Sequence, residues 1–130
     1  MKTRAVRLYG AHDLRLEEFE LSPVGDDGVR CKVISDSLCM SSYKALQQGA
    51  AHKRVPDDVA TNPTIIGHEF CGIIDEVGKN WSHKFKKGDG FVIQPAHSYK
   101  GSLNAPGYSY KECGGDATYV NIPWETLHMD

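Results

Sequence analysis

In the first third of the chain several stretches follow a period of two, the spacing that sends successive side chains to opposite faces of a strand, most clearly at 29–38 and with neither face cleanly apolar at 2–9. Residues 2–9 read as a strand, with Thr3, Ala5, Arg7 and Tyr9 on one face and Lys2, Arg4, Val6 and Leu8 on the other. Turn chemistry at Gly10 to Asp13, followed by Leu14, Leu16 and Phe19, predicts an antiparallel hairpin. Residues 29–38 alternate most clearly, Val29, Cys31, Val33 and Ser35 against Arg30, Lys32, Ile34 and Asp36, so Cys31 is expected to be a buried, inert thiol.

After Leu38-Cys39 the period changes. Ser41 or Ser42 can cap a short helix through Tyr43, Lys44, Ala45 and Leu46 that Gly49 closes. Cys39 then sits at a helix N-terminus, where the backbone dipole favours a thiolate. Residues 50–63 form an irregular polar connection, 64–77 return to strand character, and 78–87 turn and loop. Gly88-Asp89-Gly90 lead into a strand at Phe91-Val92-Ile93, 95–115 are turn-rich, and 117–122 form a last strand before an exit at Pro123-Trp124. About six short strands with one short helix fit a small, mainly antiparallel barrel or sandwich.

Composition adds boundaries. The 130 residues suffice for one domain with its own core, and 40% hydrophobic with 25% charged residues is ordinary for a soluble globular chain. A net charge of -2 offers no footprint for nucleic acid or an anionic membrane. No apolar run approaches the roughly 20 residues of a membrane helix, and no signal-peptide core follows the N-terminus, so a cytoplasmic location is expected. Cys31, Cys39, Cys71 and Cys113 include no C-x-x-C pair, which argues against a disulfide framework. No G-x-G-x-x-G or P-loop pattern occurs, so no nucleotide-binding unit is expected within these residues.

The chemistry concentrates in Gly67-His68-Glu69-Phe70-Cys71-Gly72. Ile65-Ile66 and Ile73-Ile74 bracket a histidine and a carboxylate that are both expected near the interior. Burying such a pair costs several kcal/mol, on the order of 2–7, unless a partner satisfies it, and a metal ion is the strongest candidate partner. Cys39 offers a second donor type.

Cys39-x-Ser41, Gly67-His68-Glu69-x-x-Gly72, Gly78 and Gly88-Asp89, in that order, resemble the N-terminal domain of the zinc-dependent medium-chain alcohol and polyol dehydrogenases. The stretches 37–44 and 52–63 are similar to a branch that interconverts ketose phosphates and hexitol phosphates. The resemblance covers about Lys2 to Trp124 and implies that residues 1–130 are a GroES-like β-barrel with short helices, the catalytic domain of an oxidoreductase interconverting a secondary alcohol and a ketone. It implies a Rossmann domain beyond these residues that binds NAD or NADP, a small-molecule polyol or sugar-phosphate substrate, and a homo-oligomer in the full-length form. Cys39 and His68 would match two ligands of a catalytic zinc, Glu69 the adjacent acid that touches the metal directly or through water, and Ser41 the hydroxyl that bonds the substrate alcohol. The remaining ligand would come after position 130, so these residues alone are expected to be inactive and to hold zinc weakly. The competing reading is a non-catalytic GroES-like barrel that serves as a binding or assembly module.

The sequence also departs from the family pattern. Ser42 stands where most members have an aspartate that supports the zinc histidine, and Lys44 where many have a histidine at the end of a proton relay. Lys44 is a candidate point charge for a substrate phosphate. The cysteine run of the structural-zinc lobe is missing, with Cys113 alone between Pro95 and Gly115, so no structural zinc is expected. Cys71, alternating with Ile73, is expected in the core; His12, His52, His83, His97 and His128 are expected in solvent, Trp81 in packing, and 83–87 as an exposed loop around Phe85.

Overall fold

A computed structural model describes residues 1–95 and 97–128; Ala96 in the turn-rich stretch, Met129 and Asp130 lie outside the described residues. The predicted hairpin is present as β1 (Lys2–Gly10) and β2 (Asp13–Glu20), paired antiparallel from Lys2–Glu20 to Leu8–Leu14 with a bulge between Leu8 and Gly10. Next come β3 (Val29–Asp36), α1 (Met40–Gln48) and a 3₁₀ turn at Gly49–Ala51. The expected strand over 64–77 is broken into β4 (Thr64–Ile65) and β5 (Phe70–Val77), and β6 (Gly90–Val92), β7 (Tyr119–Asn121) and the short α2 (Trp124–Leu127) follow.

The domain is mainly β, as expected. Its ladders form a sheet of order β2-β1-β4 and a sheet of order β6-β5-β3-β7 rather than one closed ring. An isolated bridge between Ala5 and Ala117 and the bond from Thr118 N to Arg4 O stitch the two sheets together.

Two apolar clusters result. One gathers Val29, Cys31, Phe70, Ile74, Ile93, Cys113, Val120 and Leu127; the other gathers Leu8, Ala45, Val55, Val59, Ile66, Ala105 and Tyr108. The break in the 64–77 strand runs from one to the other, with Ile66 buried in the second cluster and Phe70 in the first. That interruption places His68-Glu69 between the cores. Trp81 and Phe85 pack on the first cluster, as expected.

Several expectations are corrected. The cap of α1 is Cys39, whose Sγ accepts from Ser41 N at 3.5 Å, because the helix begins at Met40, two or three residues earlier than a Ser41 or Ser42 cap implies, and takes both serines into its first turn. Phe70, Gly72 and Ile74 are the buried positions of β5, so the strand period turns Ile73 outward (42% exposed) and leaves Cys71 half-buried. His97 is buried rather than solvated, with Nε2 2.7 Å from Thr126 Oγ1, and His52 is half-buried with its ring stacked on Tyr108 at 5.2 Å. Arg30, expected on the polar face of β3, is also buried, because its guanidinium reaches Ser22 O at 2.9 Å and Asn121 Oδ1 at 3.3 Å.

Candidate metal centre

The segment 66–70 leaves the sheets but is held at each end. Asp116 N donates to Ile66 O at 3.0 Å, Gly115 N to Gly67 O at 2.7 Å, and Ser37 N to Glu69 O at 3.0 Å. Gly67 has φ +96°, and a Cβ there would collide with Asp36 Oδ2 and lie 2.9 Å from Asp116 N. Glycine at this position serves both conformation and space. Gly107 closes the other side: a Cβ there would strike Gly67 O and stand 2.7 Å from His68 Cα.

This framework brings Cys39, His68 and Glu69 together, with one donor atom from each within 4.8 Å of the others. Ser41, on the first turn of α1, directs its amide at Cys39 Sγ. Lys44 lies exposed on the same helix, and among the described residues no hydrogen bond or ion pair ties it to the three donors.

The electrostatics suit a ligand set. His68 is 7% exposed, and burial, opposed by Glu69 and reinforced by the charge of Arg54, holds its pKa below the ordinary value. The ring is therefore neutral near pH 7, and the 3.4 Å approach of Nε2 to Glu69 Oε1 is a proximity rather than an ion pair. Neither ring nitrogen has a hydrogen-bond partner among the described residues, a costly condition for a buried imidazole. Glu69 is held below the usual carboxylate range by the Cys39 thiol first and the Ser37 hydroxyl second, the latter at 3.2 Å from Oε2. Sulfur, imidazole nitrogen and carboxylate oxygen form a donor set that zinc accepts at bond lengths of about 2.0–2.3 Å. The residues present fit that ion.

One wall of the site was not legible beforehand. Tyr108, 3% exposed, sets its ring 5.2 Å from that of His68 at 51°. Burial raises the pKa of its phenol, opposed by the Ser41 hydroxyl and reinforced by Cys39. An apolar and aromatic group at Ala105, Pro106 and Tyr108 inside an otherwise polar, turn-rich stretch is the signal that could have singled it out. Asp36 and Asp116, packed behind Gly67, carried no such signal.

A family model described as the alcohol dehydrogenase GroES-like domain matches residues 25–129. The chain is 54% identical over 128 residues to L-sorbose 1-phosphate reductase of Klebsiella pneumoniae, covering 98% of this chain and 31% of that protein. It is 46% identical over 122 residues to mannitol-1-phosphate 5-dehydrogenase of Aliivibrio fischeri, covering 94% and 29%. Among solved structures, 2R,3R-butanediol dehydrogenase from Bacillus subtilis superposes with a TM-score of 0.77 at 26% identity, over 95% of this chain and 39% of that one. The chain spans about a third of the length of these curated relatives.

Proposed function

The chain belongs to the alcohol dehydrogenase GroES-like domain family, and from that premise we propose that it is the zinc-bearing part of an NAD(P)-linked dehydrogenase acting on a polyol or sugar phosphate. The carrying observation is a buried, neutral His68 with no hydrogen-bond partner on either nitrogen among the described residues, beside a cysteine and a glutamate donor. The identities to relatives named for sorbose 1-phosphate and mannitol 1-phosphate favour a phosphorylated substrate.

Cys39, His68 and Glu69 would hold the zinc, with the remaining ligand and the NAD or NADP supplied from outside these residues. Zinc, when bound, supplies a Lewis acid that polarises a ketone and lowers the pKa of an alcohol. The nicotinamide supplies the hydride chemistry. Cys39 would bind as the thiolate, the form in which a cysteine ligates zinc. His68 keeps its lone pair free because burial disfavours protonation. Ser41 Oγ, beside Cys39 and Tyr108, holds the substrate hydroxyl and passes its proton outward during oxidation, returning it during reduction. Tyr108 and the apolar cluster beneath it keep water from one side of the donors.

The full-length protein as isolated tests this reading. It should contain stoichiometric zinc, lose it in Cys39→Ser, and oxidise NADH or NADPH in the presence of a ketose phosphate. A fully active protein free of metal would sink the proposal. No helix among the described residues is long and apolar enough to cross a membrane; we place the activity in the cytoplasm, in a homo-oligomer, and size-exclusion chromatography of the same preparation reads the latter.

A further inference from the structure

Arg54 is fixed more firmly than a surface arginine requires. Its amide donates to His52 Nδ1 at 3.1 Å, and its carbonyl accepts from Ser109 Oγ at 2.6 Å. That same Ser109 oxygen accepts from Ala105 N at 3.0 Å. The guanidinium donates through Nη1 to Leu103 O at 2.9 Å. Loop 52–55 and turn 103–109 are thus tied together around one half-buried cation.

The tie has a direction. His52 stacks on Tyr108 with ring centroids 5.2 Å apart and an interplanar angle of 11°, and the Tyr108 ring lies the same distance from His68. The wall beside the metal donors therefore continues through Tyr108 and His52 to Arg54. The positive charge of Arg54 adds to burial, the larger cause, in holding the pKa of His52 below its ordinary value.

Among the described residues Arg54 forms no ion pair, and of the five N–H donors a guanidinium carries, Leu103 O engages one. The remaining donors keep the planar fork that matches a phosphate monoester in a bidentate way. Lys44, the cation that the sequence suggested, is exposed on α1 without such anchoring.

We propose that Arg54 anchors the phosphate group of the substrate, holding the phosphorylated end of a polyol or ketose phosphate along the Tyr108–His52 wall while the reacting carbon lies at Cys39, His68 and Glu69. This subsite rests on the reading of the chain as a sugar-phosphate dehydrogenase. It makes Arg54 a specificity-determining residue, since an unphosphorylated polyol leaves the guanidinium unanswered.

The test uses the full-length protein with two substrates, L-sorbose 1-phosphate and L-sorbose. Arg54→Gln should lower the kcat/KM preference for the phosphorylated ketose roughly 10- to 100-fold, the size expected for hydrogen bonds between charged groups. Most of that loss should appear in KM, and Arg54→Lys should restore part of it. Lys44→Ala should keep the preference. A preference unchanged in Arg54→Gln, or lost in Lys44→Ala instead, overturns the assignment. Phenylglyoxal labelling of the unsubstituted protein, mapped by peptide mass, needs neither turnover nor a folded variant. Inorganic phosphate should slow modification of Arg54, and equal labelling with and without phosphate overturns the subsite. Protection of Arg54 in a protein that contains no zinc and turns over neither ketose leaves the anion site standing and removes the dehydrogenase reading, so the two failures are separable.

Discussion

The ring of Tyr108 is held between two histidines, stacked on His52 at 11° and tilted against His68 at 51°, each with centroids 5.2 Å apart. Tyr108 also belongs to the cluster of Leu8, Val55, Val59 and Ile66, so the position of His68 is coupled to the packing of that core. Tyr108→Ala should cost about 3–5 kcal/mol, the range for removing a buried aromatic ring. Tyr108→Phe keeps the ring contacts and should cost under about 1.5 kcal/mol. Urea unfolding of the two variants separates these outcomes, and equal destabilisation would show that the phenol oxygen, not the ring, matters.

Gly67 tolerates no side chain. Its φ of +96° is strained for any L-residue, and a Cβ would be driven into the Asp36 carboxylate. Gly67→Ala should therefore destabilise the protein by about 1–3 kcal/mol or more from the backbone alone. It should also weaken zinc retention, because His68 is the next residue and its Cα is wedged against Gly107. Thermal melts with metal analysis check both effects. Unchanged zinc content in a destabilised Gly67→Ala would separate the strand break from the ligand set.

The strand period was legible in β3, where Val29 and Cys31 lie buried on one face, whereas in β1 Ala5 and Leu8, three positions apart, are both buried and follow no period of two. His68 was legible as a buried polar group between Ile66 and Phe70, but Glu69 is exposed rather than interior, and it and Cys39 were singled out by the family pattern, not by burial. Tyr108, Arg54 and the Asp36–Asp116 pair were not legible, since each owes its place to contacts across long sequence separations. Arg54 meets Leu103 and Ser109 over 49 and 55 positions, and no local pattern encodes such a meeting. His97 misled for the same reason: its loop is polar, yet α2 covers it through Thr126.

Asp36 predicts an unusual pH dependence. Burial first, then the hydrogen bond and negative charge of Asp116, raise its pKa from 3.8 to about 8. A carboxyl group whose folded pKa exceeds its unfolded one contributes stability that is whole below about pH 3.8 and is lost as pH climbs to about 8. The histidines with lowered pKa work oppositely, losing stability as pH falls through their ordinary value of about 6.5. The comparison of the wild-type protein with Asp36→Asn cancels that contribution. The melting temperature of wild type relative to Asp36→Asn should decline steadily from pH 5 to about pH 8. A constant difference across that range would show that Asp36 is ionised throughout.

The cysteines should divide by burial rather than by sequence neighbourhood. Cys31 is 1% exposed with its pKa pushed up to about 12, chiefly by burial, and Cys113 is fully buried with its pKa raised in the same direction. Both should resist iodoacetamide in the folded protein, because the thiolate is the reactive form. Cys39 and Cys71 are half-buried and should react. Zinc should protect Cys39 and leave Cys71 unchanged, and chelation should restore the reaction. Mass-mapped labelling with and without zinc reads all four sites at once. Protection of Cys71 in place of Cys39 would move the metal to the other side of β5 and exclude the ligand set proposed above.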